Sequence, residues 1–392
     1  MTMKIGRFLA RSLGAQLVFA LTLGSLTGFL GGSKVGVLGE VGVFIIKILK
    51  FLAIPLVFFA ITEAFSKVEI PVVKGLKLLF LSTTNACVAL IIALTLSYGL
   101  PLKKWVDFKA LSEAIGAGQV NTSPNLPELS LHSFLQTFLP PNILGFILIA
   151  IILGLFLRKI KNPDLDRLIE CGLRYVSTAL ALIVRILPLA VFAIISKVVG
   201  ASGFKVFSAL ALFVFVVTLG LFIHVFIYYS LLLVLAAKKS PLRFFQESSE
   251  PLLTAFSVGS SLATLPVTLR TLQEKMKISP ASSRLAACVG TNLNHDGILL
   301  YEAVAALFVA QIQSISLTFH QQMTLCLTSV VAAVGIAGVP DAGFITLSLV
   351  FGAVGLPLAA VPLLLPVDWF IGRLRATTNV SSDMVVATLL DQ

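Results

Sequence analysis

Six apolar segments of membrane-spanning length occupy the first 236 residues and restrict what the chain can fold into. A helix needs about 20 mostly apolar residues to cross the hydrocarbon layer of a bilayer. The chain of 392 residues is 57% hydrophobic and 12% charged, whereas soluble domains carry about 25% charged residues. We therefore predict an all-α polytopic protein embedded in a lipid bilayer. The predicted spans are approximately 13–31, 41–65, 76–100, 137–157, 175–199 and 206–236.

The basic residues fix the expected orientation. The net charge is +11, but the lysines and arginines fall in short loops between the apolar segments. Placing the N-terminus in the cytoplasm puts most of these residues on the cytoplasmic side, as the positive-inside rule requires. This distribution serves membrane orientation, and we predict no nucleic-acid partner. The polar stretch 106–131 is then an outside loop.

Beyond residue 243 two interrupted segments occur in corresponding places. The first interruption is Ser257–Pro266 and the second is Val334–Gly343, and each precedes a segment with polar residues in its middle. Irregular backbone at membrane depth is tolerated only where protein or water satisfies its amides. Paired interruptions of this kind indicate a transporter's binding site. The spacing predicts an internal repeat of a broken hairpin followed by a polar-centred helix.

The last polar-centred segment, 366–390, has the length of a spanning helix but carries charges. Spacings of three and four residues put Asp368, Gly372, Arg375, Asn379 and Asp383 on one helical face. A charge at the bilayer centre costs at least about 2.5–3.5 kcal/mol, so such a face turns inward. It lines an ion or substrate pathway, or else forms an internal salt-bridge seam.

The earlier polar-centred segment contains Asn294-His-Asp-Gly297. We expect Gly297 to permit an unwound backbone, which would free the carbonyls of Gly290 and Asn294 for a cation. Asp296 and Asp383 add hard anionic oxygens that suit Na⁺. The alternative is that Asp296 pairs with an arginine, Arg373 or Arg375.

Arg375 is the expected partner of an anionic substrate, because a guanidinium binds a carboxylate through two donors. Asn379 and the amides of the two hairpin tips can add further donors. We expect Arg373, on another face of the helix, to be structural. Glu302 is either a proton carrier or a satisfied interhelical hydrogen-bonding group. The remaining histidines, His132, His224 and His320, are expected at interfaces or in packing.

Four motifs in order resemble the dicarboxylate/amino acid:cation symporter family, which includes the glutamate transporters. They are Ser260-Ser-Leu-Ala-Thr-Leu-Pro266, Asn294-x-Asp-Gly with Tyr301-Glu-Ala, Gly335-Ile-Ala-Gly-Val-Pro-x-Ala-Gly343, and Asp368-Trp-Phe with Arg375-x-Thr-Thr-Asn-Val-x-x-Asp383. The preceding two-thirds of the chain resembles the family mainly in the number and spacing of its spans.

The resemblance implies eight transmembrane helices, two re-entrant helical hairpins and inverted repeats. It implies a homotrimer in the plasma membrane, as in the bacterial inner membrane. A transport domain (76–136 and 201–392) would slide past a scaffold (1–75 and 137–200) in an elevator-like motion, with the second hairpin as the gate.

The resemblance also assigns residues. Arg375 would hold the distal carboxylate of the substrate, and Asn379 with the hairpin tips would hold the other. Glu302 matches the glutamate that carries a proton in the glutamate transporters. Co-transported Na⁺ takes the place of a cofactor. The implied tip residues are Ser260, Ser261, Gly338 and Val339. One implied Na⁺ site consists of Gly290, Asn294, Asn379 and Asp383, and Asn294 with Asp296 matches part of another.

The chain departs from the family pattern in its substrate pocket. Gly372 stands where acidic amino-acid carriers have an aspartate for the substrate ammonium, and we expect no other carboxylate one turn away. Ala376 and Ile298 each replace a threonine. His295 replaces a methionine that borders a cation. It is either a cation or proton site, since histidine titrates near neutral pH, or a neutral replacement.

The expected function is symport of an anionic dicarboxylate with Na⁺ and, through Glu302 or His295, H⁺. Gly372 favours C4-dicarboxylates such as malate, succinate or fumarate, while the motifs as a set also allow glutamate and aspartate. A passive anion channel, or a family member with a divergent, non-acidic substrate, is the alternative. The sequence contains no H-E-x-x-H, G-x-S-x-G or P-loop pattern, and we do not expect an enzyme.

Overall fold

The computed structural model describes residues 13–67, 72–100, 112, 143–160, 162–335 and 343–392. Every regular element among these residues is helical, which agrees with the predicted all-α class. Two of the described helices, Val73–Gly99 and Val206–Leu235, are long and apolar enough to cross a membrane. The predicted outside loop 106–131 lies beyond the described residues except at Ser112.

Among its described residues, the first half of the chain contains six α-helices. They are α1 Leu13–Gly31, α2 Leu38–Lys67, α3 Val72–Gly99, α4 Ile143–Ile160, α5 Pro163–Val184 and α6 Leu187–Ser202. α1 packs along α6, while α2 contacts α4, α5 and α6. α3 instead packs against helices from the second half of the chain.

Glycines bring α1 and α6 into close contact. A Cβ at Gly24 would lie 2.7 Å from the carbonyl oxygen of Phe192, and one at Gly28 would lie 2.5 Å from that of Ser196. Small residues permit such backbone approach between membrane helices. Their spacing of four residues therefore forms a packing face.

The predicted single span 175–199 is wrong, because the chain breaks between α5 and α6. Arg185 and Ile186 donate their amides to carbonyls only three residues earlier. Pro188 follows at the start of α6. Proline has no amide hydrogen and its ring clashes with the preceding turn, so Pro188 favours a break in the helix at this point.

The second half contains shorter and broken helices. They are α7 Lys205–Phe222, α8 Tyr229–Leu235, α9 Pro241–Val258, α10 Ser261–Arg270, α11 Pro280–Arg284, α12 Asp296–Ile312, α13 Phe319–Gly335, α14 Gly343–Val354 and α15 Val361–Leu390. A π-helical turn, Ile223–Tyr228, joins α7 to α8 without a gap.

The first predicted interruption is confirmed as the tip of a helical hairpin formed by α9 and α10. Gly259 ends α9 with φ of 73°, a left-handed conformation that favours glycine. Ser260 then caps α10 by accepting the amide of Ala263. At the other end of the hairpin Glu250 pairs with Lys275 at 2.8 Å and with Arg270.

The second predicted interruption also separates two helices, since α13 ends at Gly335 and α14 begins at Gly343. The intervening tip, 336–342, lies outside the described residues, and with it Gly338 and Val339. α13 and α14 pack against each other and against α12. They are the two helices expected for the second hairpin.

The interruption before α12 is confirmed as well. A π-helical turn, Leu285–Val289, is followed by a 3₁₀ turn, Gly290–Asn292, and regular helix resumes only at Asp296. The second charged segment stays helical throughout α15, which packs against the first hairpin, α12 and α7. From Arg375 to Leu390 nearly every side chain of α15 is buried.

Candidate functional site

The interruption before α12 brings an asparagine against α3 and α15. Asn294 is fully buried. Its Oδ1 accepts from the Ser82 hydroxyl at 2.6 Å, and its Nδ2 donates to Asp383 Oδ1 at 3.0 Å. Asn294 is therefore fixed from both sides, and the predicted neighbours Asn294 and Asp383 are in direct contact.

Gly297 lies at a close crossing of α12 and α15. Its amide donates to Asn379 Oδ1 at 2.9 Å, and a Cβ here would lie 2.8 Å from the backbone oxygen of Arg375. The expected reason for this glycine is wrong, because Gly297 lies within regular helix and the unwinding precedes it. The glycine is needed for the approach of α15.

The prediction that the Gly290 carbonyl would be free is also wrong. This oxygen accepts the amides of Leu293 and Asn294, both at 2.7 Å. The reason is local, since a tight turn closes on its own first carbonyl. Gly290 still lies beside the cluster, because a Cβ here would be 2.9 Å from Asn294 Nδ2.

Asp296 is a fully buried carboxylate with two differently bonded oxygens. Oδ2 accepts from the Tyr229 hydroxyl at 2.5 Å and from the Ser382 hydroxyl at 2.7 Å. Oδ1 makes no hydrogen bond within the described residues. The alternative in which Asp296 pairs with Arg373 or Arg375 is wrong. Arg375 pairs with Asp368, and Arg373 faces Trp369.

The expectation that His224 is a packing or interfacial residue is wrong. Its side chain is fully buried, with Nε2 3.2 Å from Tyr229 Oη and 3.4 Å from Asp296 Oδ2. Sequence reasoning also missed Ser82 and Tyr229. The polar run Ser82-Thr-Thr-Asn85 inside an apolar span indicates a functional face on this helix. No sequence pattern predicts the π-helical turn that positions Tyr229.

Arg375 lies in a separate, tightly enclosed place on α15. Only 7% of its surface is exposed, and its guanidinium carbon lies 4.3 Å from the centre of the Tyr301 ring. A side chain at Gly343 would overlap the guanidinium. The beginning of α14 therefore packs directly against this arginine. Arg375 Nη1 makes no hydrogen bond within the described residues.

Asp368 is the ionic partner of Arg375. Nη2 of the arginine lies 3.0 Å from Oδ1 and 3.1 Å from Oδ2 of this carboxylate. The expectation that no other carboxylate lies one turn from Gly372 is therefore wrong, since Asp368 is four residues before it. Gly372 leaves the space open, and a Cβ there would be 3.3 Å from Arg375 Nη2.

Arg373 faces a different neighbourhood from Arg375, as predicted. Its guanidinium lies 5.0 Å from the centre of the Trp369 ring and donates to the Trp369 carbonyl at 2.8 Å. A Cβ at Gly259 would be 3.8 Å from Arg373 Cγ. The tip of the first hairpin, where Ser260 and Ser261 follow Gly259, therefore lies beside α15 at Arg373, two residues before Arg375.

The remaining predicted residues surround these two centres. His295 is 5% exposed and stands immediately before α12. Ile298 and Gly372 are half-buried, and Ala376 is buried. Glu302 is fully buried after Tyr301, and its carboxylate makes no hydrogen bond within the described residues.

A family model matches this chain along nearly its whole length, and known proteins match about two-thirds of it. The sequence model of the sodium:dicarboxylate symporter family matches residues 13–392. Excitatory amino acid transporter 3 of Oryctolagus cuniculus is 36% identical over 247 residues, which are 62% of this chain and 47% of that protein. Excitatory amino acid transporter 1 of Bos taurus is 36% identical over 258 residues, 64% of this chain and 47% of that protein.

The chain spans about half the length of the curated relatives it matches. The family model covers far more than half of this chain, and the resemblance drawn from the four motifs is confirmed. The chain belongs to the sodium:dicarboxylate symporter family.

Proposed function

We propose that this protein is an integral membrane symporter that takes up an anionic dicarboxylate together with Na⁺, and that it is not an enzyme. The observation that carries the proposal is the buried guanidinium of Arg375. Its Nη1 has no hydrogen-bond partner among the described residues, and a buried charged donor without a partner is costly. A substrate carboxylate arriving beneath the second hairpin would supply that partner.

The cation would bind around Asp296 and Asp383. Their carboxylates, the Asn294 and Asn379 amides and the backbone at Gly290 offer oxygen donors of the kind that hard cations prefer. The direct contacts of Asn294 with Asp383 and of Gly297 with Asn379 support one shared centre. Na⁺ is a co-transported ligand here, and no cofactor is required. In this conformation the Gly290 carbonyl would have to give up its hydrogen bond with the amide of Leu293 or Asn294 to bind the ion.

The substrate class is C4-dicarboxylate, such as malate, succinate or fumarate. Gly372 offers no side chain to an ammonium group, and the nearby carboxylate of Asp368 is engaged by Arg375. Substrate binding would then involve Arg375, Asn379 and the hairpin tips at Ser260, Ser261, Gly338 and Val339. Ile298, Gly372 and Ala376 would shape the pocket.

Acidic amino-acid transport is the second proposal, and Asp368 supports it. This carboxylate lies one turn before Gly372 and 3.0 Å from Arg375, where it could accept an ammonium if the ion pair rearranged. The matched relatives are named as excitatory amino acid transporters. Glutamate and aspartate therefore belong in every substrate test.

Charge accounting supports symport. Moving a dianion inward against an inside-negative potential costs about 2.3 kcal/mol per charge for each 100 mV. At least two monovalent cations must enter with each dianion if the membrane potential is not to oppose uptake. Na⁺ supplies these charges, and Glu302 or His295 would add a proton.

The mechanism and assembly that we propose are an elevator-type motion in a homotrimer. α1, α2, α4, α5 and α6 would form the scaffold, while α3 would move with α7 to α15. The packing of α3 against α12 rather than against α1 supports this division. We place the protein in the plasma membrane, as in the bacterial inner membrane, with the N-terminus in the cytoplasm.

Uptake by purified protein in proteoliposomes tests the proposal. An inward Na⁺ gradient should accumulate labelled succinate above equilibrium, and unlabelled malate and fumarate should compete more strongly than glutamate and aspartate. Stronger competition by the amino acids would select the second proposal. Equal flux with and without the gradient would exclude symport.

A further inference from the structure

The two oxygens of Asp296 face different surroundings. Tyr229, Ser382 and His224 all approach Oδ2, with distances of 2.5, 2.7 and 3.4 Å. Oδ1 is buried and makes no hydrogen bond within the described residues. A carboxylate held in this way has one oxygen fixed by the protein and the other available to a cation.

The π-helical turn Ile223–Tyr228 makes this arrangement possible. In an α-helix, residues five apart differ by about 140° around the axis, because there are 3.6 residues per turn. Here the amide of Tyr229 donates to the carbonyl of His224, five residues earlier. The wider turn stacks these two side chains, and both point at the same carboxylate oxygen.

His224 stands behind Tyr229. Its Nε2 lies 3.2 Å from Tyr229 Oη, so an imidazole N–H can donate to the phenol while the phenol donates to Asp296. Hydrogen bonds arranged in such a chain polarise one another. The Tyr229 hydroxyl is thereby kept pointing at Oδ2.

Ser382 approaches Oδ2 from α15 and is part of a second series of hydrogen bonds. Asn85 Nδ2 donates to its hydroxyl at 3.3 Å, and the Tyr228 hydroxyl donates to Asn85 Oδ1 at 2.8 Å. Ser382 directly precedes Asp383, whose carboxylate contacts Asn294. Side chains from α8, α15 and the π-helical turn thus meet at a single oxygen, and α3 supports one of them, Ser382, through Asn85.

We propose that Tyr229 and Ser382, with His224 behind Tyr229, are positioning residues that hold Asp296 as a one-oxygen ligand with Oδ1 turned toward Na⁺. The proposal rests on the Na⁺ coupling proposed above. Groups behind a metal ligand orient it, and their loss typically weakens metal affinity by about 10–100-fold. The competing role is structural, in which these side chains only satisfy a buried carboxylate.

Two matched pairs of variants separate these roles. Tyr229→Phe removes the hydroxyl that donates to Asp296. Its control, Tyr98→Phe, removes a hydroxyl on α3 that is hydrogen-bonded to Gln322, away from Asp296. Ser382→Ala removes the second donor, whereas Ser381→Ala removes a buried hydroxyl bonded to its own helix at Thr377. Ser382→Thr keeps a hydroxyl and serves as the conservative rescue.

The measurement is the melting temperature of each purified variant, titrated with NaCl at constant ionic strength against choline chloride. Tyr229→Phe and Ser382→Ala should raise the Na⁺ concentration for half-maximal stabilisation by about tenfold. Ser382→Thr should restore most of the affinity, and both control variants should leave it unchanged. A purely structural role lowers the melting temperature equally in both salts without moving the Na⁺ midpoint.

The outcomes are separable. A wild-type protein that Na⁺ does not stabilise would contradict the proposed Na⁺ coupling. A Na⁺ response in the wild type that is unaltered in Tyr229→Phe and Ser382→Ala would overturn the positioning role and leave the coupling intact. If either variant does not purify in a folded state, the other variant decides, since the two hydroxyls come from different helices.

Discussion

The proposed cation centre and the proposed anion centre of this protein are built in different ways. Around Asp296 and Asp383, side chains from four helices meet, and their hydrogen bonds of 2.5 to 3.0 Å reach both carboxylates. Around Arg375 the described residues include the paired carboxylate of Asp368, the Tyr301 ring and the glycines 343 and 372, with the buried Glu302 nearby. The first centre is dense and polar, and the second is defined mostly by backbone and open space.

Most departures from the family pattern fall on the side of the proposed substrate pocket. Gly372, Ala376 and Ile298 are glycine or small or apolar side chains there, whereas His295 is the one replacement beside the proposed cation centre. A change in the pocket alters its shape without leaving a buried polar group unsatisfied. Removing one member of a buried hydrogen-bond network leaves its partners without a hydrogen bond. The ion centre is therefore expected to tolerate less change than the substrate pocket.

The largest expected effect is at the cation centre. Asp383→Asn should reduce Na⁺-driven uptake to the background of liposomes without protein, because the buried ion loses an anionic ligand. Asp391→Asn, one residue beyond α15 and bonded to Ser279, is the control and should transport normally. Retained Na⁺-driven accumulation in Asp383→Asn would place the ion elsewhere.

Arg375→Lys should come next. Lysine loses the planar fork and the stacking on Tyr301, and a hydrogen bond to a charged group contributes about 1.5–3 kcal/mol, so the KM for succinate should rise roughly 10–100-fold. Arg373→Lys tests the neighbouring arginine, which faces Trp369, and should change KM little. Equal effects at both positions would remove the special role of Arg375.

A smaller and selective effect is expected from Gly372→Asp. The new carboxylate would lie near Arg375 and supply an ammonium partner, so acidic amino-acid uptake should gain about tenfold over C4-dicarboxylate uptake. Because a Cβ at 372 lies 3.3 Å from Nη2, it would also compete with Asp368. Gly372→Asn adds similar bulk without the charge. An identical preference in both variants would show that charge at 372 does not choose the substrate.

The smallest effect is expected from His295→Met. A histidine this close to the ion centre would acquire a positive charge as the solution is acidified and repel the cation, so wild-type Na⁺ affinity should fall between about pH 8 and pH 5.5. The methionine variant should lose most of that dependence. His320→Met, which replaces an exposed histidine, is the control. A profile unchanged by His295→Met would assign the pH dependence to another group, with Glu302 as the next to vary.

The sequence predicted the helical class and both interruptions, because hydropathy reports these directly. That Asn294 and Asp383 share a site was implied by the family resemblance, since these residues lie 89 positions apart. Prediction from the sequence failed where long-range packing decides. The wide turn before Tyr229 and the rotation of His224 toward Asp296 depend on neighbouring helices. The spacing of Asp368 one turn before Gly372 can be read from the sequence, whereas its pairing with Arg375 depends on side-chain conformations in the folded helix.

The most direct test of the shared site is reciprocal binding by the purified protein. Succinate affinity should rise with Na⁺ concentration, and Na⁺ affinity should rise by the same factor when succinate is saturating, because coupling between two sites is reciprocal. Isothermal titration in both orders measures the two factors. Matching increases are the predicted result, whereas affinities that are independent of each other would contradict one coupled centre around Arg375, Asp296 and Asp383.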